Sequence, residues 1–216
     1  MSAKPKHIKL FVQHRASDQA NRDNWGNWTR DQLDRREDWI PRAKLAASFA
    51  QPGDRVLDIG CGAQFPKRYL PAGCTYVPSD LAARSEDTIV ADLSRNEFPD
   101  GRYDLGLLLG VLEFTPNAEF IFERFAMAVD RLVFSYCFAT MGGKKNASFR
   151  HNSKFLTDFS TAQLQDMVVG AGFRIVHMQV ITRAEMLTQI LAVAENCHPP
   201  PPDLGGEDDA PAGRTA

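Results

Sequence analysis

The stretch VLDIGCGAQF, residues 56–65, joins a run of aliphatic residues to two glycines that are one residue apart. An aliphatic run of this kind is typical of a strand that is buried on both faces of a parallel sheet. Glycines after such a strand let the backbone approach a ligand closely, at the edge where open α/β sheets bind ligands. The same pattern also occurs in an ordinary tight turn, so the neighbouring residues have to decide between the two interpretations.

Similar apolar runs follow along the chain and alternate with helical patterns. Arg55–Gly60 is the first predicted strand, and further strands are predicted at Cys74–Asp80, Thr88–Leu93, Tyr103–Phe114 and Arg131–Ala139. Helices are predicted within 17–50, with an interruption near Pro41, and at 117–129 and 160–172. Strands that alternate with helices or short crossovers predict an α/β fold, with a parallel sheet covered on both faces.

The two last predicted strands, Phe173–Ile181 and Thr188–Asn196, are separated only by the short segment 182–187. A connection of this length fits a hairpin, which places one antiparallel strand in an otherwise parallel sheet. We divide the chain into an N-terminal helical cap or lid at 1–50 and a ligand-binding domain at 51–196. The segment 197–216 is rich in proline, glycine and acidic residues, which predicts a disordered tail.

The composition of the 216-residue chain, with 44% hydrophobic and 24% charged residues, is that of one soluble domain. A formal net charge of -2 provides no overall positive field, so neither a nucleic-acid nor a membrane partner is predicted. The four cysteines form no C-x-x-C pair, and no metal site or disulfide framework is predicted. No apolar run has the length of a membrane span, and the start lacks a signal-peptide pattern. We expect a cytoplasmic protein with reduced thiols.

Three carboxylates lie in or near the predicted strand ends. Asp58 falls inside the first strand, where an unpaired carboxylate is costly. Asp80 ends the second strand, where a carboxylate can accept both hydroxyls of a ribose. Asp92 ends the third strand, where it could accept from an adenine amino group. Each of them alone is also explained as a helix cap or a solvated loop residue, but carboxylates at or near the C-terminal ends of three successive strands favour a nucleoside site.

With these residues identified, the segment from Trp39 to Glu195 resembles the class I S-adenosylmethionine-dependent methyltransferases. The resemblance rests on VLDIGCG, on the acidic end of YVPSDL, on ADL, and on YDLGLLLGVLEF. It implies a Rossmann-like sandwich with a seven-stranded sheet in the order 3-2-1-4-5-7-6, strand 7 being antiparallel. The chain departs from the family's pattern at Phe114 and at Phe65-Pro66, and 81–89 is short for the usual helix between strands 2 and 3.

The resemblance also implies a cofactor, S-adenosyl-L-methionine, and the residues that hold it. Gly60, Cys61 and Gly62 would pass under its methionine part, and Asp58 would orient its ammonium group. The ribose would lie at Asp80 and the adjacent Leu81, and the adenine at Asp92 and the Leu93 backbone. A carbonyl of Leu109 or Gly110 would accept from the ammonium. The predicted cofactor-binding set is therefore Asp58, Gly60, Cys61, Gly62, Asp80, Leu81, Asp92, Leu93, Leu109 and Gly110.

The acceptor side is expected in the polar segment 139–159, which follows the fifth strand at the same edge of the sheet. Arg150 and His151 are candidate acceptor contacts, and His151 is also the candidate catalytic base, because its ordinary pKa lies near neutrality. A solvated basic loop explains the same residues equally well.

The functional prediction is a methyltransferase that acts on a small molecule or saccharide, at oxygen. Two alternatives stay open. An NAD-dependent oxidoreductase shares the sheet and the ribose carboxylate, but Phe65 occupies the position of the third fingerprint glycine. The second alternative is a catalytically silent protein that uses the same fold to bind a partner. The sequence predicts no oligomeric state.

Overall fold

The computed structural model describes residues 30–140 and 143–199, which form one seven-stranded sheet flanked by short helices. The predictions for the segments 1–29 and 200–216 lie outside these residues. The strands are β1 Arg55–Ile59, β2 Thr75–Asp80, β3 Ile89–Val90, β4 Tyr103–Leu109, β5 Val129–Ala139, β6 Phe173–Arg183 and β7 Leu187–Asn196. The helices are α1 Arg30–Asp34, α2 Ile40–Ala47, α3 Ala118–Ala128, α4 Gly143–Asn152 and α5 Thr161–Gly170.

The strand order is β3-β2-β1-β4-β5-β7-β6. The pairs from β3 through β5 are parallel, and β7 is antiparallel to both β5 and β6. Since β1 is central, its aliphatic side chains are covered from both sides, and Val56 and Leu57 are fully buried. The predicted fold class, sheet order and closing hairpin are confirmed.

Two apolar clusters cover the two faces of the sheet. The larger cluster packs α3 and α5 on one face and includes Phe122, Phe125 and Leu164. The smaller cluster brings the alanine-rich α2 against the other face, where Ala46 meets Val56 and β4. Helices therefore lie on both faces, as predicted.

Several boundaries differ from the sequence prediction. Pro41 lies in the first turn of α2 instead of interrupting a helix, because a proline there loses no intrahelical hydrogen bond. The third strand is only Ile89–Val90, and Asp92 caps the 3-10 turn Leu93–Arg95. The fourth strand ends at Leu109, before the 3-10 turn Leu112–Phe114.

The segment 139–159 is not the loop that the sequence predicted, because it contains α4. This helix has little apolar periodicity, and it is fixed instead by a few contacts at its end. Phe149 packs against Phe155, and the buried Arg150 pairs with Asp158. Polar composition alone therefore gave the wrong local structure here.

Candidate functional site

A cavity of about 200 Å³ opens at the carboxyl ends of β1, β2 and β4. It contains eight of the ten residues that were predicted to hold the cofactor: Gly60, Gly62, Asp80, Leu81, Asp92, Leu93, Leu109 and Gly110. Asp58 and Cys61 are buried and are not part of the lining. The other lining residues are Leu33, Trp39, Ile59, Ala82, Arg84, Ala91, Ser94, Val111, Phe114 and Thr115.

The turn after β1 requires glycine at Gly60. Its φ is +70°, in the left-handed region, and an added Cβ would lie 2.3 Å from Cγ2 of Val111. The Val111 side chain, just beyond the end of β4, thus packs directly on the Gly60 backbone and leaves no room for a Cβ. The chain then leaves the loop through a five-residue 3-10 turn, Phe65–Tyr69, and no α-helix lies between β1 and β2.

The backbone N-H groups of the glycine loop are used within the protein. Gly60 and Cys61 both donate to the carbonyl of Ser79, at 2.8 and 3.0 Å. Gly62 donates to Oδ2 of Asp80 at 3.0 Å. These three donors therefore fix the loop to β2 instead of pointing into the cavity as an anion-binding nest.

Asp58 is almost fully buried, and its Oδ2 accepts a 2.5 Å hydrogen bond from the hydroxyl of Tyr76. Burial raises the pKa of this carboxyl to about 7; the Tyr76 hydrogen bond opposes the rise, while the charge of Asp80 adds to it. A cation brought to this end of the site would favour the ionised form. Asp58 is thus a carboxyl whose charge depends on what lies next to it.

Asp80 ends β2 at the cavity wall and is 8% exposed. Its Oδ1 accepts from Nε of Arg84 at 3.1 Å and from the backbone of Ala82 at 3.3 Å. Nη2 of Arg84 also lies 3.0 Å from the same oxygen. The carboxylate at the predicted ribose position is therefore held rigidly, and its charge is compensated.

Asp92 lines the cavity with its neighbours Leu93 and Ser94. Its Oδ1 accepts from the backbone and hydroxyl of Ser94, at 2.9 and 2.6 Å. The Leu93 carbonyl accepts from Nδ2 of Asn117 at 2.7 Å. The Asp92 carboxylate and the Leu93 carbonyl thus stabilise the 3-10 turn, and Leu93 contributes apolar surface to the cavity.

Sequence reasoning missed two arginines at this site. Arg84 was hidden in a segment that contains no recognised motif. Arg42 comes from α2, and its Nη1 would lie only 2.7 Å from a Cβ at Gly110. Its Nε is buried without a hydrogen-bond partner among the described residues, and burial lowers the pKa of the guanidinium. A lone arginine in an amphipathic helix gives no sequence signal of such a position.

Glu113 follows the cavity wall but points into the protein. It is 1% exposed, and Oε1 accepts from the backbone N-H of Cys137 at 2.8 Å. Oε2 has no partner among the described residues, and burial raises the pKa of this carboxyl. The backbone carbonyl of Glu113 accepts from Leu156 and Thr157, so this residue joins the β4 end to the segment that follows α4.

The two predicted acceptor residues lie on α4, outside the cavity lining. Arg150 is 8% exposed; its Nη1 lies 3.0 Å from Asp158, and its guanidinium stacks on Phe155 at 5.4 Å. His151 is exposed. Their roles toward an acceptor stay predictions.

Neither a metal centre nor a membrane span is found among the described residues. Across 30–140 and 143–199, no group of three or more His, Cys, Asp or Glu side chains is arranged to hold a metal ion. No helix in the same part of the chain has the length and apolar character needed to cross a membrane.

Comparisons with known proteins give structural matches only. No family model matches the chain, and no curated protein sequence does. An S-adenosylmethionine-dependent methyltransferase from Mesorhizobium loti is 16% identical, with a TM-score of 0.56 over 76% of this chain and 100% of that one. The phosphoethanolamine N-methyltransferase 2 of Haemonchus contortus, in complex with phosphomonomethylethanolamine and S-adenosylhomocysteine, is 12% identical. Its TM-score is 0.62 over 81% of this chain and 59% of that one.

The [4+2]-cyclase SpnF is a further structural match, at 14% identity and a TM-score of 0.58, over 75% of this chain and 81% of that one. Identities this low establish the fold and not the reaction, which lies in the site that each chain builds on that fold. The chain has the fold of the class I S-adenosylmethionine-dependent methyltransferases.

Proposed function

We propose that the protein is an S-adenosylmethionine-dependent methyltransferase that acts on a small molecule, at oxygen. One observation carries the proposal. The backbone N-H groups of Gly60, Cys61 and Gly62 donate to Ser79 and Asp80 within the protein, and the carboxylates nearest this loop are those of Asp58 and Asp80. A loop of this kind favours a ligand that carries positive charge at its centre. A sulfonium nucleoside with an ammonium group has that character.

The same observation disfavours a dinucleotide. A pyrophosphate needs free backbone N-H groups and is stabilised by the N-terminus of the helix that follows the loop. Here Gly60, Cys61 and Gly62 donate internally, and only the 3-10 turn Phe65–Tyr69 follows. The buried Asp58 adds a group that would repel phosphate when ionised.

The residues present fit the proposed cofactor at both ends. Asp80 faces the cavity as an acceptor for a ribose hydroxyl, and apolar side chains such as Leu81 and Leu93 provide the walls for a purine. At the other end, Asp58 and the carbonyls of Leu109 or Gly110 would hold the ammonium group. The Arg42 guanidinium lies close to Gly110 and its Nε has no partner among the described residues, so a carboxylate of the amino-acid tail would compensate its buried charge.

When bound, S-adenosylmethionine supplies a methyl group that its sulfonium has already activated for displacement. The protein then has to hold the acceptor in line and exclude water. Phe114 and Val111 line the cavity with apolar surface beyond the end of β4. An oxygen acceptor also needs its proton removed, and His151 on α4 is the candidate base, with Arg150 as a candidate acceptor contact. Full turnover by a His151→Ala variant would exclude that role.

The class of acceptor is proposed from the size of the site and from a structural match. The Haemonchus contortus structure contains a small phosphorylated amine, phosphomonomethylethanolamine. The present chain has a net charge of -2 and a compact cavity, which favour a small molecule or a saccharide over a nucleic acid.

Calorimetry tests the proposal directly. We expect S-adenosylmethionine and S-adenosylhomocysteine to bind, and NAD to show no binding at the same concentrations. An Asp80→Asn variant should lose about tenfold or more in affinity, because a hydrogen bond to a charged acceptor is removed. Binding of NAD alone would overturn the proposal. A screen of acceptors with methyl-labelled cofactor would then identify the substrate.

A catalytically silent binding protein is the second candidate, and one observation favours it. The lining of the described cavity contains no histidine, and its two carboxylates, Asp80 and Asp92, already accept hydrogen bonds from the protein. Binding of S-adenosylmethionine without methyl transfer in a broad acceptor screen would support this alternative over the enzyme.

A further inference from the structure

We propose that Arg84 restricts Asp80 to a single ribose hydroxyl and thereby determines which hydroxyl of the nucleoside this site recognises. The inference rests on the proposed function and concerns the ribose end of the same cavity. It starts from the number of hydrogen bonds that one carboxylate can accept. An ionised carboxylate has about four acceptor positions, two on each oxygen.

On Asp80, three protein donors crowd Oδ1. They are Nε of Arg84 at 3.1 Å, Nη2 of Arg84 at 3.0 Å, and the N-H of Ala82 at 3.3 Å. Oδ2 accepts from the N-H of Gly62 at 3.0 Å. One position on Oδ2 therefore remains for a ligand. A ribose diol that donated two hydrogen bonds to this carboxylate would have to displace Arg84.

The surroundings hold Arg84 in place. Its backbone N-H donates to Oγ1 of Thr88 at 3.2 Å, and Ser85 donates to the same oxygen at 2.9 Å. Gln64, at the exit of the glycine loop, donates to the hydroxyl of Ser85 at 2.9 Å. The side chain of Arg84 is 15% exposed and that of Asp80 is 8% exposed, so water screens their attraction only weakly. Displacing the guanidinium would leave a largely buried charge without its partner.

The loop that carries Arg84 is also the place where the usual helix between the second and third strands is missing. The segment from Leu81 to Thr88 contains no helix, and its turn is built from Ser85 and Thr88. This compact turn brings the guanidinium of Arg84, which lies four residues after Asp80, into contact with the Asp80 carboxylate. The restriction is therefore a property of the turn as well as of one side chain.

The test compares dissociation constants for S-adenosylhomocysteine and its 2′-deoxy and 3′-deoxy analogues. In the natural protein, one deoxy analogue should lose about tenfold or more in affinity and the other less than about threefold. In Arg84→Met, which keeps an apolar side chain of similar length, both analogues should lose about tenfold, because Oδ1 becomes available to the second hydroxyl. Arg84→Lys keeps a donor for Oδ1 and should retain the unequal pattern.

Arg95→Met is the matched control, since Arg95 pairs with the neighbouring Asp92 at 3.4 Å and lies outside the cavity lining. It should leave the pattern unchanged. Urea unfolding of each variant separates an effect on binding from a loss of fold. Equal losses for the two analogues in the natural protein, or the same pattern in Arg84→Met, would overturn the inference alone. No binding of S-adenosylhomocysteine itself would overturn the proposed function as well.

Discussion

At the scale of single residues, the site is defined by carboxyls whose environments differ. Asp80 is rigidly hydrogen-bonded and paired with Arg84, whereas Asp58 is buried with only the hydroxyl of Tyr76 as a side-chain donor. Because burial disfavours the ionised carboxyl, a buried acid without a cation binds its proton up to a higher pH. The two acids therefore have different electrostatic environments, although both lie at the same edge of the sheet.

This difference predicts a pH dependence of ligand binding. The pKa of Asp58 is raised to about 7, so the carboxyl is mostly neutral at pH 6 and mostly ionised at pH 8. The affinity for S-adenosylhomocysteine, whose ammonium is positive over this range, should rise about tenfold across it. In Asp58→Asn the affinity should become nearly independent of pH. Asp166→Asn, a control at an exposed position on α5, should leave the pH dependence of the affinity unchanged. Calorimetry at several pH values measures this, and an unchanged slope in Asp58→Asn would contradict the assignment.

A second prediction at this scale compares two of the glycines with a left-handed φ, Gly60 and Gly53. A Cβ added at Gly53 has no neighbour within 4 Å. Gly53→Ala should therefore lower the free energy of unfolding by only about 1 kcal/mol, the cost of a left-handed backbone for alanine. Gly60→Ala adds a contact of 2.3 Å with Val111 and should destabilise the fold by about 2 to 4 kcal/mol. Urea unfolding compares the two variants. Equal losses would show that Val111 moves aside at little cost.

At the scale of elements, the sequence predicts strands well where the apolar run is continuous and bounded by turn residues. The β1 run and the β6–β7 hairpin have these features, and both form as predicted. The two-residue β3 and the helix α4 do not. The first is set by pairing of Ser79 and Asp80 with Ile89 and Val90, and the second by tertiary contacts of Phe149 and Arg150. Contacts between distant residues leave no local pattern.

The same contrast holds for the site. The position of Asp80 and the glycines at the cavity could be predicted from the sequence, because motif spacing fixes their place at the strand ends. Arg42 and Arg84 could not, since they reach the site through a helix and a turn whose positions depend on the assembled sheet. Sequence spacing predicts backbone landmarks better than it predicts the long side chains that converge on them.

An element-scale prediction concerns the start of α5. Ser160 and Gln163 form a reciprocal capping box, with the Ser160 hydroxyl accepting from the Gln163 N-H and the Gln163 side chain accepting from the Ser160 N-H. Ser160→Ala should therefore destabilise the protein by about 1 kcal/mol and leave S-adenosylhomocysteine affinity unchanged. Thr161→Ala, at the next exposed position, is the control and should be nearly neutral. Chemical denaturation distinguishes them, and equal effects would argue against the cap.

At the scale of the whole molecule, the segment that carries α1 and α2 contributes residues to the cavity. Leu33 and Trp39 line the cavity, and α2 brings Arg42 to Gly110. The position of this segment relative to the sheet therefore matters for the cavity, and side-chain hydrogen bonds fix it. Arg131 of β5 does so: Nη1 donates to the Phe49 carbonyl at 2.8 Å, and Nη2 donates to Asp54 at 2.6 Å.

The last prediction concerns this tie. Asp54 is 7% exposed and also accepts from the N-H of Gln51, so Asp54→Asn keeps the shape but removes the charge opposite Arg131. We expect a loss of about 1.5 to 3 kcal/mol in the free energy of unfolding, because the hydrogen bond to charged Arg131 is weakened where little water is present.

Asp38→Asn is the matched control. It removes an aspartate-arginine pair with Arg36 in which the Asp38 and Arg36 side chains are 62% and 40% exposed, and it should lower the free energy of unfolding by less than about 0.5 kcal/mol. Urea unfolding at pH 7 measures both. If Asp38→Asn proved as destabilising as Asp54→Asn, burial of the long-range pair would not be what holds the N-terminal helices against the sheet.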